Sequence, residues 1–356
     1  MTIPHNRLTY GIEEEKAVLE VVKSGRWAGG NYTNQLEEKL GQYTKSNYVA
    51  AVSSGISALR LALLGIGVTT NDEVIIPAYS CVALANAILS IGAIPVPVDI
   101  EKNTYNIDIE CIKKAITSKT KVIIAVHTFG QPSQIEEIIS LGYKVIEDCA
   151  HCLGIDYTGK HTTKPIGNWA DAAITSFYAT KLIGAGEGGA VLSSDFSVID
   201  LIKQYRDYSD QMPSAYRLND KMNDLEAALA FTQLQKLDAF NQRRTAIAER
   251  YLSELKNVIP ISSLPTNEIE RVWYRFVIKL PHAISLTKFK DYMWEKYNIK
   301  TDEPVFSWHK NIDSSKLPNT AKAFEQCLSI PCYPTLTEEE QSYIIESIKQ
   351  TVQYFN

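Results

Sequence analysis

The sequence has few cysteines for its length, with six among 356 residues. Cys149-x-x-Cys152 has the spacing of a redox or zinc motif, but no second cysteine pair or histidine pair at ligand spacing accompanies it. A disulfide scaffold and a metal site are therefore disfavoured. We expect reduced thiols packed in apolar surroundings, and a cytoplasmic protein.

Long apolar runs are also missing. No uncharged apolar stretch approaches the roughly 20 residues that a membrane helix needs, and the first residues, Met-Thr-Ile-Pro-His-Asn-Arg, do not have the pattern of a signal peptide. The sequence also has no excess of basic residues: it contains 36 Lys and Arg and 41 Asp and Glu, which gives a net charge of −5. The sequence therefore predicts no membrane and no nucleic-acid partner.

The composition that remains is that of a globular chain, with 45% apolar and 22% charged residues, and its length allows two domains. Short β-branched runs alternate with helical patterns through the first two thirds of the chain. This alternation predicts an α/β fold with a mostly parallel sheet that is covered on both faces. Seven runs are predicted to be strands: residues 49–53, 73–77, 94–98, 121–126, 144–148, 172–177 and 189–193.

Two helix starts are marked between these strands. Apolar residues recur at helical spacing from Ile56 to Ile66, directly after Ser53-Ser-Gly55. Ser133-Gln-Ile-Glu136 has the pattern of a capping box, which predicts another helix.

The pattern changes in the last third of the chain. Residues 222–255 are predicted to form a long helix that is broken near Asn241. The elements predicted after it are a strand over 272–280, a helix over 286–297 and a final helix from Thr337, capped by Thr337-Glu-Glu-Glu340, to about residue 354. We therefore predict a large α/β domain over residues 1–235 and a smaller α/β domain over residues 236–356.

The first segment with chemical potential is Val52-Ser-Ser-Gly-Ile-Ser-Ala58, where a strand ends and a helix starts at once. A helix N-terminus offers free N–H groups and a positive dipole end, which suit a phosphate, and Gly55 allows an anion to approach the backbone. The simpler alternative is an ordinary helix cap by Ser53 or Ser54.

The second segment is Val145-Ile-Glu-Asp-Cys-Ala-His151. Its apolar strand brings Asp148 to the carboxyl edge of the sheet, where open parallel sheets bind ligands. A carboxylate there could hold a cationic ring nitrogen, whereas the alternative is a structural, helix-capping aspartate. For His151 the alternative is likewise a structural histidine.

The third segment, Thr175 to Gly189, runs from a strand through Ser176 and Lys181 into a glycine-rich turn and a second strand. A lysine in a crowded site can form a Schiff base with an aldehyde, and glycines allow close packing beside a flat cofactor. The alternative for Lys181 is a solvated surface charge.

These segments, in this order, resemble the DegT/StrS family of pyridoxal-phosphate-dependent sugar aminotransferases over nearly the whole chain. The matching stretches are residues 24–30, 53–59, 72–78, 92–99, 127–132, 147–148, 176–177, 181, 186–189 and 328–334. The resemblance implies the type I fold of these enzymes, with a large domain built on a seven-stranded, mostly parallel sheet, a smaller C-terminal domain and a homodimer with shared active sites.

By this resemblance, Lys181 carries pyridoxal phosphate covalently and Asp148 pairs with the pyridinium nitrogen. A carboxylate at that nitrogen favours its protonated form, which is the better electron sink. His151 is expected near the phenolic oxygen of the cofactor. The cofactor phosphate is expected to contact the backbone of Gly55 and Ile56.

The hydroxyl of Ser176 is expected to contact the same phosphate, together with Asn219 from the partner subunit. Lys221 is the alternative candidate for the role of Asn219.

The sequence also departs from the family pattern. Cys81 stands where family members often have an aromatic residue that stacks on the cofactor, so either Cys81 packs against the ring or Tyr79 supplies the aromatic surface. Ile56 replaces a threonine.

The resemblance implies transfer of an amino group from an amino acid, glutamate in most members, to a keto-sugar nucleotide, as in polysaccharide biosynthesis. One alternative is another pyridoxal-phosphate reaction, such as dehydration of a deoxysugar, but members that do this typically have histidine in place of Lys181. The other is a non-catalytic regulator on the same fold. The choice of sugar is expected to depend on the loops at residues 26–30 and 305–309.

Overall fold

The computed structural model describes residues 1–209, 214, 216–260, 270–307 and 314–355. All seven predicted strands are present and lie in one sheet. They are β1 (Tyr48–Val52), β2 (Glu73–Pro77), β3 (Ile94–Val98), β4 (Thr120–Val126) and β5 (Lys144–Asp148), then, after a small antiparallel pair of β6 (Asp156–Thr158) and β7 (Thr163–Pro165), β8 (Ala172–Ser176) and β9 (Gly189–Ser193).

The order of strands in this sheet is β1-β9-β8-β5-β4-β2-β3. β9 runs antiparallel to both of its neighbours, and the other pairs are parallel. The sheet is therefore mostly parallel, as predicted. The carboxyl ends of β1, β5 and β8 meet at one edge, and this edge carries the site described below.

Helices cover both faces of the sheet, which explains why its strands are almost continuously apolar. Three helices, α3 (Gly55–Gly65), α4 (Ala83–Ser90) and α7 (Phe196–Tyr205), pack on one face with alternate strand residues such as Val74 and Ile124. The intervening residues, such as Ile75 and Ile123, belong to cores on the other face. The helices of this region are α1 (Ile12–Ser24), α2 (Asn31–Thr44), α3 (Gly55–Gly65), α4 (Ala83–Ser90), α5 (Ile109–Ala115), α6 (Ile135–Ile139), α7 (Phe196–Tyr205) and α8 (Asp224–Gln235).

A second core forms in the C-terminal part around a two-stranded antiparallel sheet. Its elements are α9 (Leu237–Leu255), β10 (Phe276–Lys279), α10 (Leu286–Tyr297), α11 (Pro318–Gln326), β11 (Cys327–Ile330) and α12 (Glu338–Phe355). Ile3, from the start of the chain, pairs with Ile299 and is buried in this second core. The domain boundary between residues 235 and 236 stays a prediction.

Two local predictions are wrong. The break in the long helical region lies at Lys236, not near Asn241, because the backbone N–H of Lys236 turns back to Gln233 and its ammonium group pairs with Glu14 of α1 at 2.8 Å. Asn241 lies inside α9 and donates to the carbonyl of Leu153.

The capping box at Ser133 is also absent. The backbone N–H of Ser133 donates to Nδ1 of His127 (3.0 Å), and Glu136 accepts from the amide of His161 (3.2 Å), so tertiary partners replace the local pair. The cap of the last helix is present as predicted, since Thr337 and Glu340 exchange side-chain-to-amide hydrogen bonds of 2.9 and 3.1 Å.

Candidate active site

The three candidate segments of the sequence analysis meet at the carboxyl edge of the sheet. Gly55 opens α3 directly after β1, and Ser176 ends β8. A Cβ atom on Gly55 would lie only 2.8 Å from Oγ of Ser176, so the close approach of these two segments requires a glycine. Gly188, at φ 127°, follows in the glycine-rich turn and forms a bridge with Ser54.

The N-terminus of α3 has the properties of an anion site. Ser54 caps the helix, and its hydroxyl accepts from the amide of Ser57 (3.1 Å). The alternative prediction of a helix cap by Ser53 or Ser54 is therefore also met. Within the described residues, the amides of Gly55 and Ile56 have no hydrogen-bond acceptor. These two donors, next to the hydroxyl of Ser176, fit a phosphate group at the positive end of the helix dipole.

Asp148 lies at the end of β5 with its side chain 6% exposed. One carboxylate oxygen accepts from the amide of Ala150 at 3.0 Å, which stabilises a turn rather than a helix start. Burial raises the pKa of Asp148, although the Ala150 amide and the charges of Lys181 and His127 act in the opposite direction. A cationic partner would favour the ionised carboxylate, which is what a protonated ring nitrogen supplies.

Lys181 is half-buried in the turn after β8, where its amide donates to the carbonyl of Tyr178 (2.8 Å). Its Nζ lies 5.1 Å from the centre of the Tyr274 ring. In the part of the chain that the structure describes, no carboxylate forms an ion pair with Lys181. The amine therefore faces the interior of the site, and a solvated surface charge does not describe it.

His151 lies between two aromatic rings, with centroid distances of 4.2 Å to Tyr274 and 6.2 Å to Phe129. Its Nδ1 atom is buried and has no hydrogen-bond partner among the described residues. Burial, with the charges of Lys181 and Arg275, holds the pKa of His151 well below its usual value, so the ring is neutral. A buried polar atom without a partner next to Lys181 is the kind of group that a bound ligand satisfies.

Sequence reasoning missed Tyr274, which lies just before β10 and is buried. Burial alone would raise the pKa of its phenol, but Lys181, Arg275 and two further groups lower it to about 8. One signal could have found this region: Arg275 is a charged residue inside the apolar run Val272-Trp-Tyr-Arg-Phe-Val-Ile278.

The two candidates for the partner's phosphate differ in their surroundings. Asn219 is exposed, whereas Lys221 forms an ion pair with Asp207 at 2.8 Å. Asp220, between them, is buried and paired with Arg60 of α3. The segment is thereby held against the start of α3 in the same chain.

Of the two candidates for stacking on the cofactor, Cys81 is exposed in the connection between β2 and α4. Tyr79 is 1% exposed and enclosed by the rings of Tyr105, Phe129 and Phe324, at centroid distances of 4.8 to 6.1 Å. Its ring is therefore committed to this aromatic cluster. In the loop at residues 305–309, residues 308 and 309 lie outside the described residues.

One buried cluster has metal-ligand chemistry, since ligand atoms of His127, Glu147 and Cys149 lie within 4.8 Å of one another. Glu147 already accepts from the amides of residues 167, 169 and 170 at 2.7 to 3.0 Å, and from His127 at 3.2 Å. The other ring nitrogen of His127 accepts from the Ser133 amide. These hydrogen bonds account for the cluster as a structural network.

Among the described helices, none is both long and apolar enough to cross a membrane.

Nearly the whole chain is similar to one family of known proteins. A model of the DegT/DnrJ/EryC1/StrS aminotransferase family matches residues 9–349. The uncharacterized protein MJ1066 of Methanocaldococcus jannaschii is 31% identical over an alignment of 382 residues, which covers 98% of this chain and 97% of that protein.

Two solved structures are similar over nearly the whole chain. NtdA from Bacillus subtilis, with bound cofactor PMP, is 30% identical with a TM-score of 0.85, covering 96% of this chain and 83% of that one. Spr1654 from Streptococcus pneumoniae, a candidate sugar aminotransferase in its PLP form, is 26% identical with a TM-score of 0.90, covering 100% of both chains.

Proposed function

This chain belongs to the DegT/DnrJ/EryC1/StrS aminotransferase family, and from that premise we propose that it uses pyridoxal phosphate to transfer an amino group from an amino acid, glutamate first among candidates, to a keto-sugar nucleotide. The observation that carries the proposal is a set of groups at one sheet edge. The buried carboxylate of Asp148, the amine of Lys181, which forms no ion pair with a described residue, and the Nδ1 atom of His151, which has no hydrogen-bond partner among the described residues, are brought together there.

These residues fit the cofactor group by group. The free amides at the start of α3, with Ser176, would hold its phosphate, Asp148 its ring nitrogen and His151 its phenolic oxygen. When bound, pyridoxal phosphate supplies an electron sink for the carbon that carries the amino group.

Lys181 has two roles in this proposal. It would hold the cofactor covalently through Nζ, and its freed amine would move the proton from the α-carbon of the amino donor to the carbon that Nζ had occupied. A general base of this kind must lie within hydrogen-bond reach of the carbon that it serves. Lys181 would meet this requirement, because its amine would be released next to the carbon it had occupied.

We further propose a homodimer with shared active sites. Several large apolar side chains are exposed: Leu8, Tyr10, Trp27, Ile56, Val82, Tyr178 and Leu218. Exposed apolar surface of this kind is typical of an interaction site. In a two-fold dimer the exposed Asn219, next to Leu218, would reach the partner's phosphate.

The test starts from protein loaded with pyridoxal phosphate. Adding glutamate should abolish the visible absorbance of the bound cofactor, and adding the correct keto-sugar nucleotide should restore it. The Lys181→Ala variant should fold but lose turnover by 10²–10⁴-fold or more, since it lacks the proton carrier. A parent enzyme whose absorbance no amino acid changes, or an active Lys181→Ala variant, would show that the assignment is wrong.

A further inference from the structure

Arg275 contacts no carboxylate among the residues that the structure describes. It is half-buried just before β10, with one Nη 3.2 and 3.4 Å from the two ring nitrogens of His5. Its Cζ lies 5.3 Å from the centre of the Tyr274 ring. By contrast, Arg60 and Arg206 pair with carboxylates.

His5 does not supply a negative charge. Burial and the charge of Arg275 lower the pKa of His5 to about 3, so the ring is neutral near pH 7. His5 is also 2.9 Å from the hydroxyl of Ser329, which fixes the orientation of the ring. His5 therefore positions the guanidinium of Arg275 without contributing a negative charge, although the carboxylate of Asp302 is close enough to act on His5.

The guanidinium lines a small pocket next to Lys181. The pocket is lined by polar groups of His5, Asn6, Thr180, Tyr274, Arg275 and Ser329. Thr180 directly precedes Lys181, and the Lys181 amine and Arg275 both lie little more than 5 Å from the centre of the same Tyr274 ring. The cavity volume is about 40 Å³. That is room for a group of a few atoms such as a carboxylate, but not for a sugar ring or a nucleotide.

The electrostatics of this pocket favour an anion. The charges that act on Tyr274 come from Lys181, Arg275 and Arg244, which are all cations. Arg244 is buried, and one of its Nη atoms donates to the backbone carbonyls of Tyr274 and Cys332, while its Nε has no partner among the described residues. Arg275 retains donors on a planar guanidinium, which matches the geometry of a carboxylate.

We propose that Arg275, positioned by His5, binds a carboxylate of the amino donor and so makes the enzyme selective for amino acids as donors. This inference rests on the proposed aminotransferase function. The bound carboxylate compensates the positive charge of the pocket and orients the donor with its amino group towards Lys181. The carboxylate is either the one on the α-carbon or the one on the donor's side chain, and the experiment distinguishes these two.

The test compares the parent with Arg275→Met, which removes the charge, and Arg275→Lys, which keeps the charge but removes the planar donors. Arg250→Met is the matched control, since Arg250 contacts only Glu338 and Ser342 of α12 among the described residues. The concentration dependence of the cofactor absorbance change is measured with glutamate and with alanine. Calorimetry measures the binding of glutarate, with the uncharged glutaramide as its comparison, which provides a readout independent of turnover.

We expect Arg275→Met to retain its cofactor and to bind glutamate and glutarate about 10- to 100-fold more weakly, the range for a charge-assisted hydrogen-bonded pair. The affinities of Arg275→Lys should lie between those of the parent and of Arg275→Met, and the affinities of Arg250→Met should match those of the parent. An equal loss with alanine assigns the α-carboxylate, and a loss with glutamate alone assigns the side-chain carboxylate. Unchanged affinity of Arg275→Met for both glutamate and glutarate, in a parent that does react with glutamate, overturns this inference and leaves the aminotransferase function standing.

Discussion

At the scale of single residues, the site places one buried carboxylate among several cations. Asp148 is almost fully buried, and the positive charge of Lys181 only partly offsets the cost of keeping it ionised. The neutral His151 adds no charge to the balance. A ring nitrogen that carries a proton would complete this arrangement, because an ion pair in a buried site stabilises both partners.

The first prediction concerns Asp148→Asn. The variant should keep most of its cofactor, since the amides of Gly55 and Ile56 remain, but its rate should fall by about 10²-fold or more because the ring nitrogen loses the charge that keeps it protonated. Cofactor content by absorbance and turnover are measured on the same preparation. Asp195→Asn, which changes a cap of α7, is the matched control. If Asp148→Asn were as active as the parent, Asp148 would serve only the turn at Ala150.

A second prediction at this scale follows from the pKa of His5, which is lowered from 6.5 to about 3. Between these pH values the unfolded chain binds a proton that the folded protein does not, so the free energy of unfolding decreases as the pH falls. His5→Gln should remove this contribution, which is at most about 2 kcal/mol at pH 5. The melting temperature of His5→Gln should therefore drop less than that of the parent between pH 7 and pH 5. The exposed His282→Gln should behave like the parent, and an unchanged pH dependence in His5→Gln would contradict this account.

At the scale of elements, α3 connects the site to the rest of the large domain. Its first turn offers the free amides, and its buried face binds the segment at residues 219–221. Ser57 and Arg60 both contact the carboxylate of Asp220, and the amide of Ser53 donates to the Asp220 carbonyl at 2.8 Å. One helix therefore orients both the amides that are proposed to bind the phosphate and the segment that is proposed to reach the partner.

The prediction at this scale concerns Gly55→Ala. The new Cβ would lie 2.8 Å from Oγ of Ser176 and would push this hydroxyl away from the amides of α3. We expect the affinity for pyridoxal phosphate to fall by about 10-fold, the loss of roughly one hydrogen bond to a charged group, as measured by absorbance titration. Gly65→Ala, at the other end of α3, is the control because its Cβ would meet only side chains of α7 at 3.1 Å. Equal cofactor affinity in Gly55→Ala and the parent would place the phosphate elsewhere.

At the scale of the whole molecule, the site draws on segments that are far apart in the chain. Lys181 and Asp148 come from the large domain, Tyr274 and Arg275 precede β10 of the second core, and His5 comes from the start of the chain, next to the segment that pairs with residue 299. The site therefore forms only when both cores are folded and the N-terminal segment has docked.

The last prediction tests the shared site. Co-expression of a Lys181→Ala chain with a chain that carries both Asn219→Ala and Lys221→Ala should give heterodimers with one working site of two, because one site combines an intact lysine with an intact borrowed segment. A pairing of Lys181→Ala with Asp148→Asn is the control, since both changes affect the chain's own half of the site and no working site can form. Activity is measured on purified heterodimers. No recovery in the first pairing would show that residues 219 and 221 act within their own chain.

Much of the architecture is determined by the sequence alone, because its signals are local. All seven sheet strands follow from short apolar runs, and the bounds of four of them, β2, β3, β5 and β9, match the prediction. The cap of α12 also follows from residues that are adjacent in the chain. Asp148 could be singled out because it ends a buried strand at the edge where parallel sheets bind ligands, and Lys181 because it lies in the turn after another such strand.

Only the tertiary structure decided the features that depend on distant partners. Ser133 caps no helix because His127, on the neighbouring strand end, takes its amide, and the helix breaks at Lys236 where Glu14 of α1 binds the side chain. The pocket of Arg275 depends on His5, which is 270 residues away in the chain. No local pattern encodes such a contact, because its free energy arises only when the folded chain removes both groups from water and places them together.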